Sequence, residues 1–154
     1  MATWRLADPA DDDAIVAMSM ALYEGNPPEP SMSPAQVRAT LVMFRAEPTR
    51  GRAIVLDADG QPGGYAFLVS FWSNELGGEI CTIDELYVMP RFRSQGFSTH
   101  LVESLVNGGI LWPRRPVALE LEVHPRNTRA RALYERLGFR LKNNDTLRRI
   151  TTCD

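Results

Sequence analysis

Residues 83–98 read IDELYVMPRFRSQGFS, and the order of strand, loop and helix signals in this stretch decides the fold. The first part is mostly apolar and stops at Pro90, which is typical of a β-strand that ends there. Two arginines follow in a short loop, and small residues at the start of the next helix leave room for a ligand near Gly96. Backbone N–H groups at a helix start, guanidinium charge and the helix dipole all favour an anion. We call residues 91–98 the anion cradle.

The cradle differs from two common phosphate-binding motifs. A phosphate-binding loop of the nucleotide hydrolases ends in Gly-Lys-Ser/Thr, and a dinucleotide fingerprint requires three spaced glycines. Residues 91–98 contain neither pattern. Nucleotide hydrolysis and hydride transfer are therefore disfavoured.

The composition is that of an ordinary globular protein. The chain has 154 residues, of which 44% are hydrophobic and 23% are charged, which favours a single domain over residues 1–154. The longest apolar run, residues 65–72, is much shorter than the roughly 18 residues of a membrane span. The N-terminus has neither the basic start nor the apolar stretch of a secretory signal. We therefore expect a cytoplasmic protein with no membrane segment.

Charge is distributed unevenly along the chain. Residues 1–85 contain 13 acidic residues and 5 arginines, whereas residues 86–154 contain 12 basic and 6 acidic residues. This pattern indicates that one part meets a cation and another an anion, although segregated solvated charges would give the same pattern. The cysteines and histidines are isolated from one another, so neither a disulfide framework nor a metal site is expected. They are Cys81, Cys153, His100 and His124.

Local signals predict a sheet with helices before and after its central strands. Asp8 and Ser33 each precede a proline and are expected to cap helices that end near Gly25 and Pro48. Further helices are predicted at residues 95–107 and 128–137, where apolar residues recur at helical spacing. The predicted strands are residues 3–7, 53–57, 64–72, 79–89 and 117–123, with residues 139–141 and 146–151 closing the sheet. The middle strands form an antiparallel meander, and the crossover near the C-terminus implies a locally parallel pair.

The cradle resembles the acetyl-CoA signature of the GNAT superfamily of N-acetyltransferases, Arg/Gln-x-x-Gly-x-Gly/Ala. Residues 93–98, RSQGFS, match it with Ser98 in the last position. The run ELYV at 85–88, then Asn127, and ALYERLGF at 132–139 follow in the order of the family. The resemblance covers roughly residues 3–142 and implies an α/β (α+β) fold. That fold has a mixed, mostly antiparallel sheet with about four helices, splayed between the fourth and fifth strands.

The resemblance implies acetyl-CoA as co-substrate and no metal. Backbone groups of Leu86 and Val88 would pair with the thioester and pantetheine like an added strand. Asn127 would bind the pantetheine arm, and Tyr134 would lie near the sulfur. The pyrophosphate would be bound by the N–H groups of Arg93, Ser94, Gln95, Gly96, Phe97 and Ser98.

The implied reaction is direct attack of an amine on the acetyl thioester. A primary amine with a pKa of ~10.4 is mostly protonated at neutral pH, so a base must remove a proton. Asp84 and Glu85 are the candidates, and Glu85 is slightly favoured, with an intervening water left open. A bulge in this strand of the family prevents side-chain alternation from deciding between them. The Leu86 N–H would bind the oxyanion, and Tyr134 would protonate the thiolate.

Each of these residues also has a purely structural interpretation. Tyr134 lies on the apolar face of its helix and without the resemblance would be taken as a core tyrosine. Asp84 and Glu85 could be surface charges at a strand edge. Cys81 is best explained as a small buried hydrophobic residue rather than a nucleophile, because no histidine accompanies it.

In this architecture, substrate choice depends on the first two helices, their connection and the hairpin before the fourth strand. Carboxylates and aromatic faces in these segments suit a cationic amine of polyamine, aminoglycoside or amino-acid type. A peptide N-terminus or a protein lysine stays open as the acceptor. The candidate substrate-binding residues are Tyr23, Glu24, Trp72, Asn74 and Glu85.

Other functions remain compatible with the sequence. A catalytically silent acyl-CoA-binding regulator would use the same cradle. A phosphate- or nucleic-acid-binding module is disfavoured, because no aromatic residues alternate with basic ones on the strands. Many relatives form homodimers, but nothing in the sequence fixes an interface.

Overall fold

The computed structural model describes residues 1–151. The strands are β1 (Ala2–Leu6), β2 (Gly51–Ala58), β3 (Gln61–Ser73), β4 (Gly78–Val88) and β5 (Ala118–Leu121). The helices are α1 (Asp12–Glu24), α2 (Pro34–Ala46), α3 (Phe97–Asn107) and α4 (Thr128–Arg136). The chain divides into two compact units, of which the first is residues 1–122 and the second begins at Val123. Cys153 lies outside the described residues.

The first unit contains one mixed sheet whose strands follow chain order. Strands β1 to β4 are antiparallel neighbours, and β5 pairs in parallel with β4. The mixed α/β class and the mostly antiparallel sheet predicted from the sequence are confirmed. The hairpin between β2 and β3 turns at Asp59 and Gly60, which both have positive φ (54° and 85°), as a tight two-residue turn requires.

The predicted helix starts are confirmed by their caps. The Asp8 side chain accepts a hydrogen bond from the Ala10 N–H at the 3₁₀ turn Pro9–Asp11, which leads directly into α1. Ser33 and Gln36 form a reciprocal capping box at α2. These side chains satisfy N–H groups that would otherwise lack an acceptor, so both helix ends are closed by local sequence.

The core of the first unit lies between α1, α2 and one face of the sheet. Apolar residues from the helices meet aromatic residues of β3, where Phe67 packs edge-on against Phe44 and Tyr65. This edge-on arrangement is favoured by the charge distribution of aromatic rings. The buried members are Ile15, Val16, Met18, Val37, Leu41, Phe44, Val55, Tyr65 and Phe67.

The prediction that residues 139–141 and 146–151 form closing strands is wrong. Both segments are irregular, and Leu141 and Leu147 are 81% and 94% exposed. The first segment is only three residues long, and polar residues 142–145 separate it from the second. A strand needs a partner edge and a buried face, and these segments have too few apolar residues to supply one.

Candidate active site

Strand β4 has two halves that differ in their hydrogen-bonding partners. Residues Ile80–Ile83 pair with β3 on one side and with Ala118–Leu121 of β5 on the other. The pairing with β5 ends at Ile83, whereas β4 continues along β3 to Val88. We call Gly78–Ile83 the closed half and Asp84–Val88 the open half. The splay predicted between the fourth and fifth strands begins at this boundary.

Leu86 and Val88 direct their backbone groups away from β3. The Met89 N–H donates to the Gly63 carbonyl at 2.9 Å, on the β3 side of the strand. Backbone groups of successive residues in a strand point to alternate sides, so those of Leu86 and Val88 point to the open side. The Val88 carbonyl accepts a hydrogen bond from Arg93 Nε at 2.8 Å. The open half therefore offers N–H groups to an added extended chain.

A β-bulge places Asp84 and Glu85 in different environments. Glu85 lies opposite Phe67 and Ile83 opposite Leu68, so Asp84 is the extra residue of β4. Asp84 is exposed, whereas Glu85 is buried. The side-chain alternation that could not be resolved from the sequence is therefore interrupted at Asp84.

The Glu85 carboxylate is enclosed by three hydroxyl groups from α1 and β3. Its Oε1 accepts hydrogen bonds from Ser19 Oγ at 3.0 Å and from the Tyr65 hydroxyl at 2.5 Å. Its Oε2 accepts one from the Tyr23 hydroxyl at 2.9 Å. Buried carboxylates persist where hydrogen-bond donors replace water, and this cluster provides them.

Sequence reasoning named Glu85 and Tyr23 but missed Ser19 and Tyr65. Ser19 is fully buried on the apolar face of α1, four residues before Tyr23, so both hydroxyls project from the same face. The signal was a serine at helical spacing among Ile15, Met18 and Leu22. A polar residue at such a position is best explained by a buried polar partner.

The tyrosines around Glu85 keep their protons at neutral pH. Burial, followed by the charge of Glu85, raises the pKa of Tyr65 well above its usual range. Burial and the Glu85 charge also raise the pKa of Tyr23, with smaller contributions from Asp84 and Glu122. The Tyr23 hydroxyl therefore donates to one carboxylate and feels the negative charge of two more, Asp84 and Glu122.

The start of α3 is open, unlike the start of α2 with its capping box. Gly96 occupies the N-cap position with φ of 83°, and it has no side chain to cap the helix. The first intrahelical bond runs from the His100 N–H to the Gly96 carbonyl at 2.9 Å. The N–H groups of the three residues between them therefore have no acceptor in a preceding turn. They belong to Phe97, Ser98 and Thr99.

Side chains of the cradle mostly stabilise its own loop. Arg93 stacks over Tyr87, with 5.4 Å from the guanidinium carbon to the ring centre, and Arg91 lies 4.8 Å over Phe92. Gln95 Nε2 donates to the Arg91 carbonyl at 3.0 Å. Both arginines are exposed, so their charge is accessible from solvent.

Trp4 of β1 holds the first turn of α3 in place. Its indole N–H donates to the Phe97 carbonyl at 2.9 Å, and its side chain is 8% exposed. A buried indole normally finds such a partner, and here the partner belongs to the cradle. The sheet thereby positions the N–H groups that begin α3.

The family model for the acetyltransferase (GNAT) family matches residues 15–139. This match spans most of the chain and includes the open half of β4 and the cradle. The chain belongs to the GNAT family of acetyltransferases. No curated protein sequence matches it significantly.

Solved structures share this GNAT fold at low sequence identity. A "possible acetyltransferase" from Clostridium difficile 630 has a TM-score of 0.79 and 17% identity over 99% of each chain. A transcriptional regulator from Bacillus halodurans C-125 has a TM-score of 0.74 and 17% identity, over 98% of this chain and 100% of that one. AAC(6')-Iy, in complex with the bisubstrate analog CoA-S-monomethyl-acetylneamine, has a TM-score of 0.71 and 17% identity over 99% of each chain. At such identities the likeness concerns the fold.

Two of the GNAT-derived site residues belong to the second unit. The Asn127 side chain accepts a hydrogen bond from the Ala130 N–H at 3.2 Å and so caps α4. Tyr134 packs edge-on against Phe139, with ring centres 5.7 Å apart. Burial raises the pKa of Tyr134, so its phenol stays protonated at neutral pH. Their roles toward the coenzyme stay predictions.

The structure does not bring all predicted substrate residues together. Tyr23 contacts Glu85 and adjoins Glu24, but Trp72 lies opposite Glu79 in the closed half. Trp72 lies five positions along β3 from Phe67, the partner of Glu85, which is roughly 17 Å along the strand. Asn74 lies farther still, in the turn after Ser73. Trp72 and Asn74 are therefore remote from the Glu85 cluster.

Other reactive groups in the described residues do not add a second site. Cys81 is fully buried, as predicted, and burial raises its pKa to about 12, so it is a neutral thiol. Within residues 1–151, no three His, Cys, Asp or Glu side chains are placed to share a metal ion. Over the same residues, no helix is both long and apolar enough to cross a bilayer.

Proposed function

We propose that the chain is an acetyl-CoA-dependent N-acetyltransferase that acts on the primary amine of a small cationic molecule. The observation that carries the proposal is the continuity of the open half of β4 with the uncapped start of α3. One element offers strand-edge N–H groups for the amides of pantetheine, and the next offers helix N–H groups for a pyrophosphate. GNAT membership supports acetyl-CoA as the co-substrate.

In this proposal the coenzyme supplies an activated acetyl thioester, and the protein supplies alignment and proton transfer. The N–H groups of residues 94–98 bind the pyrophosphate, whereas the Arg93 N–H, predicted from the sequence for the same role, donates to the Pro90 carbonyl at 3.2 Å. Asn127 binds the pantetheine arm. The Leu86 N–H donates a hydrogen bond to the developing oxyanion. Tyr134 gives its proton to the departing sulfur, which a neutral phenol can do.

Glu85 or Asp84 acts as the base that takes the proton of the amine. Glu85 is favoured because its position is fixed by three hydrogen bonds, whereas Asp84 is exposed on the bulge. The concentration of negative charge at Asp84, Glu85 and Glu122 supports a cationic acceptor. The acidic balance of residues 1–85 supports the same substrate class.

Release of free thiol from acetyl-CoA tests the proposal. A panel of polyamines, aminoglycosides, amino-acid amides and N-terminal peptides would be compared, with product mass confirming an amide. Turnover is expected with at least one small cationic amine. Turnover with peptides alone would shift the proposal to a peptide or protein N-acetyltransferase. Absence of turnover with every amine tested would contradict the proposal.

A catalytically silent acyl-CoA-binding regulator is the second candidate. The enclosure of Glu85 favours it, because burial and three hydroxyl partners leave an amine little room to reach the carboxylate directly. One fold relative is described as a transcriptional regulator. Calorimetry that shows CoA binding without turnover would support this candidate, and binding of an oligonucleotide instead of CoA would support a nucleic-acid module. A homodimer and a cytoplasmic location stay predictions of the sequence.

A further inference from the structure

The two oxygens of the Glu85 carboxylate differ in access. Oε1 receives the hydroxyls of Ser19 and Tyr65, which are both fully buried. Oε2 receives the Tyr23 hydroxyl. Glu85 is itself only 7% exposed, so an amine has little room to approach either oxygen directly. A carboxylate placed in this way needs an intermediary to exchange protons with a bound substrate.

Tyr23 is the member of the cluster that reaches the surface. It is half-buried and lines a groove between the C-terminal part of α1 and the proline-rich connection to α2. Met20, Pro27 and Met32 give this groove apolar walls, and Glu24 adds a carboxylate at its side. The groove is therefore shaped for an organic acceptor, and Tyr23 belongs both to its wall and to the Glu85 cluster.

We propose that the Tyr23 hydroxyl is a catalytic proton relay between the acceptor amine in this groove and Oε2 of Glu85, an inference that rests on the proposed acetyltransferase function. As the amine nitrogen bonds to the thioester carbon, its proton passes to the Tyr23 oxygen. The Tyr23 proton passes at the same time to Glu85. The C–S bond then breaks with its electron pair on sulfur, which takes the Tyr134 proton, and Tyr134 recovers a proton from solvent. Glu85 returns its proton to solvent through Tyr23. The amine attacks as the neutral base after its ammonium proton has passed to solvent, so the neutral amine loses one proton and the thiol gains one.

The electrostatics of Tyr23 require both protons to move together. Burial and the surrounding carboxylates hold the pKa of Tyr23 well above its usual value, so a free phenolate does not form at neutral pH. A hydroxyl that donates to Glu85 still has oxygen lone pairs to accept a hydrogen bond from an amine. Asp84 and Glu122 add negative charge beside the same hydroxyl, which favours a positively charged acceptor there.

Tyr23→Phe and Tyr65→Phe form a matched pair that tests the relay. Each change removes one hydroxyl from Glu85, but only Tyr23 lines the groove. With the best amine from the panel, we expect Tyr23→Phe to lower kcat by about a hundredfold, the size typical of a lost proton-transfer group. We expect KM for acetyl-CoA to stay the same. Tyr65→Phe should lower kcat by a much smaller factor, because Tyr65 contacts Glu85 without lining the groove.

A proton inventory, the dependence of kcat on the fraction of D₂O, reports how many protons move in the rate-limiting step. If Tyr23 only positioned Glu85, its removal would not change that number. The wild-type protein and Tyr65→Phe should show two protons in motion, and Tyr23→Phe should show one. Equal losses in the two variants, or a Tyr23→Phe kcat close to wild type, would overturn the relay while leaving the acetyltransferase function standing. Wild-type protein that acetylates no amine would overturn both. If Tyr23→Phe unfolds, Glu85→Gln in the same inventory should also reduce two protons to one, and an unchanged inventory would count against the relay.

Discussion

The closed and open halves of β4 are continuous in sequence but contribute differently to the molecule. The closed half is held between β3 and β5 and contains the fully buried Cys81. The open half has β3 on one side and directs the N–H groups of Leu86 and Val88 to the other. Where a strand is paired on both edges, its backbone N–H and C=O groups are all used within the sheet. Where one pairing ends early, the groups on that edge can bind a ligand. The open edge exists because β5 pairs with β4 over only four residues.

The largest effect should come from replacing a hydrogen-bonded carboxylate in each half of β4 by its amide. Glu85→Gln in the open half should lower kcat by roughly 10²–10⁴-fold, because the amide cannot take a proton. Glu79 provides the control, since its carboxylate accepts hydrogen bonds from Ser70 and Trp112, each at 2.7 Å, in the closed half. Glu79→Gln should lower the unfolding temperature and leave kcat nearly unchanged. If Glu85→Gln and Glu79→Gln lowered kcat equally, the open half would not be the catalytic part of the strand and the closed half would not be purely structural.

Gly96→Val should nearly abolish coenzyme binding. A β-branched residue is strained at φ of 83°, and its side chain would obstruct the pyrophosphate beside the cradle. We expect CoA affinity measured by calorimetry to fall roughly a hundredfold, which corresponds to about 2.7 kcal/mol.

Gly60→Val is the control for backbone strain at Gly96. Gly60 has φ of 85°, and a Cβ at either glycine meets no atom within 4 Å, so the two substitutions strain the backbone similarly. Gly60→Val should lose stability but keep its affinity for CoA. A parallel loss of affinity would mean that the effect at Gly96 is only a loss of folding.

Tyr134→Phe tests the chemistry outside β4. Burial raises the pKa of Tyr134 above its usual value, so its titration should not appear in the neutral part of the pH–rate profile. The substitution should lower kcat roughly tenfold or more, as loss of a general acid does, with CoA affinity nearly unchanged. Unchanged turnover would remove Tyr134 from the role of acid.

Gly78→Ala should destabilise the closed half without affecting the open half. A Cβ at Gly78 would overlap the Val117 side chain, and overpacking of this kind costs about 1–3 kcal/mol. Denaturant unfolding measures the loss, and Val117→Ala in the same chain should recover part of it. CoA affinity should stay at the wild-type value throughout. A lower CoA affinity in Gly78→Ala without a lower free energy of unfolding would contradict the assignment of the closed half to stability and the open half to coenzyme binding.

The smallest effect is expected at the anchor of α3. Trp4→Phe removes the N–H that donates to Phe97 and should raise KM for acetyl-CoA a few-fold, as loss of about 1 kcal/mol would. Trp112→Phe removes a comparable buried indole N–H, which donates to Glu79. Both variants should lose stability, but only Trp4→Phe should change KM. A KM that stays constant in Trp4→Phe would show that the anchor has no bearing on coenzyme binding.

Local sequence predicted the features that depend on local interactions. Asp8 and Ser33 were identifiable as caps, because each signal acts within a few residues. The cradle could be located for the same reason, since a helix start and its glycine are adjacent in the chain. The family resemblance then indicated which ligand such a cradle binds.

The enclosure of Glu85 could not be predicted in this way. It depends on a bulge at Asp84 and on hydroxyls that come from positions 19, 23 and 65, and register between distant segments is not encoded locally. The incorrect prediction of closing strands at residues 139–141 and 146–151 has a related cause. Residues 146–151 contain enough β-forming residues to suggest a strand, but a strand also needs a partner.

The bulge has one more effect on the strand. Because Glu85 lies opposite Phe67 while Ile83 lies opposite Leu68, two residues only two positions apart emerge on opposite faces of the sheet. A single inserted residue thus acts as a half-rotation of the chain about its own axis. Deleting Asp84 would make Ile83 and Glu85 adjacent residues of a regular ladder, so Glu85 would stay opposite Phe67 on the α1 face while the strand lost its local irregularity.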